Sequence, residues 1–248
     1  MNELHLIRMN LDRRLFLRLS SGKGVDESYA LHAGLAAMFA ESNEPADVPF
    51  LTYAVDDERF EALTWKERDD TIPLLAYSDI GREALMKRIG KPEVVQSLVS
   101  TNKMSLLLKS GMGLRFQTRV CPIVRSRRGR DGKPMPTGKG GRPKHREVDA
   151  FIHARITDPE AARDEVYLSW LKTRIGDAAH VEKGALFEYR EQRMSRRAGT
   201  RMKEFMHPNA LLRGELVVGS SSEFEALLRQ GIGRHKAFGF GMLLVRPL

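Results

Sequence analysis

Apolar residues along this chain recur at two spacings, and the switches between them lay out its elements. Leu4, Leu6, Ile7 and Met9 make a short, roughly alternating run that predicts an opening strand. From Leu31 the spacing lengthens. Leu31, Leu35, Met38 and Phe39 fall at i, i+4, i+7 and i+8, the stripe of an amphipathic helix. Residues 51–55 and 72–77 return to strand-like runs, and 81–89 and 92–97 are short segments of weaker signal. Leu114, Phe116, Thr118 and Val120 alternate cleanly before Pro122, which predicts the last strand of a first domain. Farther on, 149–156 reads as a strand. Asp158 with Pro159 then marks the start of a helix whose apolar face is Ala162, Val166, Trp170, Leu171 and Ile175. Residues 211–218 are a strongly apolar strand, Ser220 and Glu223 form a capping box for a helix through Leu228, and 242–245 closes as a strand. This order predicts an α+β protein of two similar domains, 1–124 and 125–248, in the manner of duplicated βαββαβ units.

Charge changes the picture more than bulk composition does. The 248 residues are 42% hydrophobic, enough to build cores, and carry a formal net charge of +9 with a pI near 9.8. The excess is concentrated. From Arg125 to Arg146 there are nine basic residues, among them Arg125, Arg127, Arg128, Arg130, Lys139, Arg142 and Lys144, against Asp131 alone. From Arg190 to Lys203 there are six, including Arg196 and Arg197, against Glu191. Taking their +8 and +5 from +9 leaves −4 on the rest of the chain. Two basic segments on an otherwise acidic chain are the footprint of a polyanion-binding face. The first run also holds five glycines and three prolines, so it is an exposed loop or ribbon rather than a helix.

Several classes drop out. The longest apolar stretch, 30–40, contains His32 and is about half a membrane span, so no membrane partner is expected. Arg8, Asp12, Arg13 and Arg14 interrupt the first apolar residues, and the expectation is a cytoplasmic protein without a leader. A lone Cys121 excludes a disulfide scaffold, a zinc ribbon and an iron–sulfur cluster. The seven histidines show neither H-x-x-x-H nor H-E-x-x-H spacing, so neither a metal site nor a cofactor is expected.

Between the last helix and the last strand lies a glycine-rich loop, 231–241, with Gly231, Gly233, Gly239 and Gly241. Its amides can approach phosphate oxygens, and Arg234 and Lys236 add charge; the alternative is a tight connection whose glycines satisfy positive φ. It is no dinucleotide fingerprint, because the third glycine of that motif would fall on Lys236.

A short opening strand, the Tyr29-Ala30-Leu31-His32 pair on the first helix and the ending Gly-Ile-Gly-x-x-Lys-x-x-Gly-x-Gly together resemble the CRISPR repeat-processing endoribonucleases. The similarity is to the CasE family, the crRNA-maturation subunit of type I-E Cascade. Leu114-Arg115-Phe116 with Pro122, and Trp170-Leu171 with Gly176 and Ala178, support it. The long Gly/Pro-rich basic run departs from that pattern. The resemblance implies two tandem ferredoxin-like (RRM-like) domains, a basic face for the CRISPR repeat RNA hairpin, cleavage at the hairpin base without a metal, and retention of the crRNA with the Cascade backbone subunits.

RNA permits such cleavage because its own 2′-hydroxyl can attack the adjacent phosphorus. The enzyme then supplies a base, an acid for the leaving 5′-oxygen, and positive charge for the phosphorane. On a helical wheel His32 and Tyr29 share an exposed edge away from the core stripe. His32 is therefore the expected acid–base group and Tyr29 its partner on the 2′-OH, with Lys236 the candidate for phosphorane stabilisation. Arg125, Arg127, Arg128, Arg130, Lys139, Arg142, Lys144, Arg196, Arg197, Gly231, Gly233, Arg234 and Gly239 are the expected RNA contacts. A non-catalytic RNA-binding module, with Tyr29 and His32 merely structural, is the alternative.

Overall fold

The computed structural model describes residues 3–19, 27–40, 48–56, 70–101, 108–127, 133–134, 146–198 and 201–248, with backbone alone at 27–29, 195–198 and 201–203. The first four strands, β1 (His5–Asp12), β2 (Thr52–Val55), β3 (Thr71–Ser78) and β4 (Val95–Thr101), form an antiparallel sheet in the order β2-β3-β1-β4. Helices α1 (Arg13–Leu19) and α2 (Glu27–Phe39) lie between β1 and β2 in sequence, and α3 (Arg82–Arg88) lies between β3 and β4. Successive residues of a strand face opposite sides. Ile7, Met9, Leu11, Leu74 and Ala76 therefore pack under the helices with Leu31, Leu35, Met38, Phe39 and Leu85, while Leu75 and Tyr77 turn the other way into a second core. One sheet thus serves two cores.

The second sheet repeats the topology. Strands β5 (Gly113–Val120), β8 (Ala179–Ala198), β9 (Arg201–Val218) and β10 (Leu243–Pro247) run in the order β10-β5-β9-β8. Helix α5 (Arg163–Ile175) precedes β8 and α6 (Ser221–Gln230) precedes β10. Between β5 and α5 the chain inserts a two-stranded ribbon, β6 (Ile123–Ser126) with β7 (Arg146–Asp149), and the short helix α4 (Ala150–Ala154). Both sheets have the strand order of the ferredoxin-like fold, so the α+β tandem architecture expected from the sequence stands.

Three expectations are corrected. The run 114–120 is not the last strand of the first sheet. As β5 it pairs with β9 through Gly113–Val217 to Val120–Ala210 and with β10, so the second unit begins before the expected division at 124/125. Alternation reveals a strand but not its partners. The expected strand 149–156 is mostly helix α4, because the Asp149 carboxylate accepts the Phe151 N–H at 2.8 Å and caps a helix start. The next helix starts at Arg163, not at Asp158 and Pro159. The serine half of the capping box at α6 forms, with Ser220 Oγ accepting from Glu223 N–H.

Of the first basic run, Arg125 lies on β6 and Arg146 on β7, while most of the residues between them lie outside the described residues. The second run falls at the far end of the β8–β9 hairpin, whose strands run 20 and 18 residues. Among the described residues no helix is long and apolar enough to cross a membrane.

Candidate functional site

Helix α2 carries His32 at the seam between the two sheets. The helix forms because Leu31, Leu35, Met38 and Phe39 bury on one stripe, and His32, to the side of that stripe, is left half-buried. Its Nδ1 lies 3.3 Å from the Tyr53 hydroxyl on β2, and that hydroxyl donates to the Ala237 carbonyl at 2.5 Å. A phenol has one proton. With it committed to Ala237, the network assigns the donor role to His32 Nδ1–H and leaves Nε2 with its lone pair. Burial pushes the His32 pKa below its ordinary 6.5 and pushes that of Tyr53 up, so at neutral pH the imidazole is neutral and the phenol protonated. This is a neutral histidine in a fixed tautomer, whose basic nitrogen has no hydrogen-bond partner among the described residues.

The glycine loop closes over this helix. Its turn Lys236–Phe238 supplies the Ala237 carbonyl and sets the Phe238 ring 6.4 Å from that of His32. Gly239 has φ 82°, and a Cβ there would stand 3.5 Å from Leu31 Cδ2. Gly231 has φ 68°, and a Cβ would meet Thr52 Cγ2 at 2.7 Å; one at Gly233 would meet Trp170 at 2.8 Å. All three of these positions face protein, so the loop is a packed seam as well as a surface. Lys236 sits in the same turn, its ammonium on the Gln230 carbonyl at the end of α6. Arg234 is ion-paired with Glu147 of β7.

A small third core ties both hairpins to this loop. Cys121, Ile123, Met194 and Phe240 are buried together, with Phe205 and Phe238 against them. Burial, reinforced by Glu147 and Asp149, raises the Cys121 thiol pKa far above neutrality, so that sulfur is no nucleophile. Beside this core, Glu147, His207 and His235 meet. Burial alone would raise the Glu147 pKa, but the Arg234 hydrogen bond and the charges of His235, Arg234 and His207 outweigh it and hold the carboxyl below its ordinary range.

Of the residues expected from the sequence, the structure brings His32, Lys236, Gly231, Gly233, Arg234 and Gly239 to one end of the inter-sheet seam. Arg125 and Arg127 are exposed at the ribbon. Arg128, Arg130, Lys139, Arg142 and Lys144 lie outside the described residues. Arg196 and Arg197 are placed by backbone only, opposite Lys203 and Met202, and Tyr29 is placed one helical turn before His32, its side chain outside the described residues. Sequence reasoning missed Tyr53; its one signal was a phenol in a short apolar strand, where a buried hydroxyl must find a partner. On another face, a cleft of about 810 Å³ between the sheets is lined by Arg8, Arg115, Lys183, Arg213 and Arg246 among others, and neither His32 nor Tyr53 lines it.

A family model described as CRISPR associated protein matches residues 4–247. No curated protein matches the chain. Among solved structures, the Escherichia coli K-12 CRISPR-associated protein Cas6e is 19% identical, with TM-score 0.61 over 98% of this chain and 100% of that one. A CRISPR endoribonuclease Cse3 bound to a 19-nucleotide RNA is 18% identical, with TM-score 0.60 over 99% and 100%. Thermus thermophilus Cse3, bound to an RNA representing a pre-cleavage complex, is 17% identical, with TM-score 0.53 over 99% and 100%. At these identities the likeness is one of fold.

Proposed function

We propose, from the premise that the chain belongs to the CRISPR-associated protein family, that it is an endoribonuclease that binds the stem-loop of CRISPR repeat RNA and cleaves the precursor without a catalytic metal. The observation that carries this reading is the His32–Tyr53–Ala237 chain, which leaves Nε2 of a neutral imidazole to act as a base. His32 Nε2 takes the proton of the 2′-hydroxyl 5′ of the cut. The oxygen then attacks phosphorus in line, the bond to the 5′-oxygen breaks, and the products are a 2′,3′-cyclic phosphate and a 5′-hydroxyl. Tyr29, one turn earlier, orients the 2′-OH, and the imidazolium returns its proton to the leaving oxygen directly or through Tyr29. Lys236, released from the Gln230 carbonyl, stabilises charge on the phosphorane.

The two basic runs supply backbone contacts to the duplex, Arg125, Arg127, Arg128, Arg130, Lys139, Arg142 and Lys144 from the first and Arg196 and Arg197 from the second. Arg234 adds contacts near the cut, while the Gly231 and Gly239 amides, which donate to the Leu227 and Lys236 carbonyls, hold the loop in the shape that presents it. The product stays bound and enters the crRNA-guided complex with the Cascade backbone subunits; a solved CRISPR RNA-guided surveillance complex contains a chain of like fold. Incubation with a repeat stem-loop should give one cut at the hairpin base. A 2′-deoxy nucleotide 5′ of the cut should abolish cleavage and leave binding nearly intact. A cut that survives the deoxy substitution, or leaves a 5′-phosphate, would mean that activated water attacks instead and would overturn the His32 assignment. Binding with no cut would reduce the protein to an RNA-binding module.

A further inference from the structure

Outside the His32 site, one cluster has metal-ligand chemistry. Glu147 on β7, His207 on β9 and His235 in the glycine loop are distant in sequence and converge in space. Glu147 Oε2 is 3.3 Å from His235 Nε2 and 3.7 Å from His207 Nε2, and one ligand atom of each residue lies within 4.8 Å of the other two. The second carboxylate oxygen, Oε1, is held by Arg234. His207 is 9% exposed, and its ring centroid lies 4.7 Å from that of His235.

The distances discriminate between two readings. A charge-assisted N–H···O pair closes to about 2.7–2.9 Å. Neighbouring ligands on a tetrahedral ion with bonds of about 2.0–2.1 Å stand about 3.3–3.4 Å apart. The Glu147–His235 separation falls on the second value and the Glu147–His207 separation is slightly beyond it, so both histidines stand near the distance from the carboxylate that such an ion sets. Two imidazoles and a carboxylate are a donor set suited to zinc. Arg234 on the outer oxygen fixes the carboxylate's orientation, as partners of metal-bound carboxylates commonly do.

We propose that Glu147, His207 and His235 bind a zinc-type divalent ion that pins three segments together: the base of the β6–β7 ribbon, the β8–β9 hairpin and the glycine loop. The ion is structural. The Phe238 ring neighbours both sites, with centroids 6.0 Å from His235 and 6.4 Å from His32. Its role is to fix the angle at which both basic hairpins leave the loop that holds Tyr53. This reading does not depend on the cleavage chemistry.

The test uses the full chain without RNA. After chelator treatment and dialysis, Zn²⁺ and Co²⁺ are titrated by calorimetry, and the Co²⁺ form is examined for the intense visible absorption of a four-coordinate site. One ion per chain is expected, with a rise of the thermal midpoint on adding Zn²⁺. Glu147→Gln and His207→Gln should each weaken Zn²⁺ at least tenfold and lose the thermal shift, while His32→Ala keeps both. No stoichiometric binding by the wild-type chain overturns the proposal, and that measurement needs no variant to fold. Unchanged affinity in the two variants places the ion elsewhere and overturns it equally. A protein that binds the ion but cuts no RNA would refute the nuclease reading and leave this one intact.

Discussion

At the residue scale the site turns on which nitrogen of His32 carries the proton. Tyr53 decides it, because its single proton goes to the Ala237 carbonyl and its oxygen is then free to accept from Nδ1. His32→Ala should slow single-turnover cleavage by about a hundred- to ten-thousand-fold, the range typical of a missing acid–base group, with stem-loop affinity retained. Tyr53→Phe removes the acceptor for Nδ1–H, so it should slow cleavage less than His32→Ala; a melt of the variant separates this effect from reduced stability. Burial lowers the His32 pKa, and a base works deprotonated. The rate should therefore hold on descending to about pH 6.5 and fall only below it, as the imidazole takes up its proton. A rate that fell on the alkaline side of pH 6.5 instead would mean that His32 acts in its charged form.

At the element scale one charge run ends the long β8–β9 hairpin and the other lies between β6 and β7. Substituting Arg127, Arg128, Lys139, Arg142 and Lys144 with Ala should weaken stem-loop binding and flatten its salt dependence, by about 0.9 in the log–log slope for each duplex phosphate no longer neutralised. Unchanged affinity and slope would make the run a solubilising segment. The glycine loop is an element of the opposite kind, built on close approach. Gly239→Val places a β-branched residue at φ 82° beside Leu31, and such strain costs about 1–3 kcal/mol. The thermal midpoint should drop by several degrees, with cleavage falling further than binding because Ala237 and Phe238 move. The loop's glycines were legible in sequence as a special backbone, but not what they approach. Gly231, for example, is apposed to Thr52, 179 positions earlier in the chain.

For the whole molecule, the two ferredoxin-like units share a core. Tyr77 of the first sheet is fully buried among residues of the second and donates to the Leu243 carbonyl at 3.0 Å, while Arg229 of α6 is ion-paired to Asp79. Tyr77→Phe leaves that buried carbonyl short of a donor and should cost about 1–3 kcal/mol. Because the shared core couples the halves, urea unfolding followed by fluorescence and by circular dichroism should give one coincident transition in both proteins, with a lower midpoint in the variant. Separate transitions for the two probes would show that the units fold independently.

The sequence by itself determined the period-2 and period-3.6 segments, the α6 cap, the charge concentrated in two runs, and the family likeness. These are local or additive properties: a strand's alternation, a hydroxyl three residues from an amide, a sum of charges. Only the tertiary structure decided that 114–120 opens the second sheet, that the run around Arg196 and Arg197 extends an 18–20-residue hairpin, that Tyr53 sets the tautomer of His32, and that Glu147, His207 and His235 meet. Apart from the hairpin end, where Arg196 pairs with Lys203, these join residues far apart in sequence. No spacing encodes such a meeting, because it arises from the core the two units share and the loop that packs on α2.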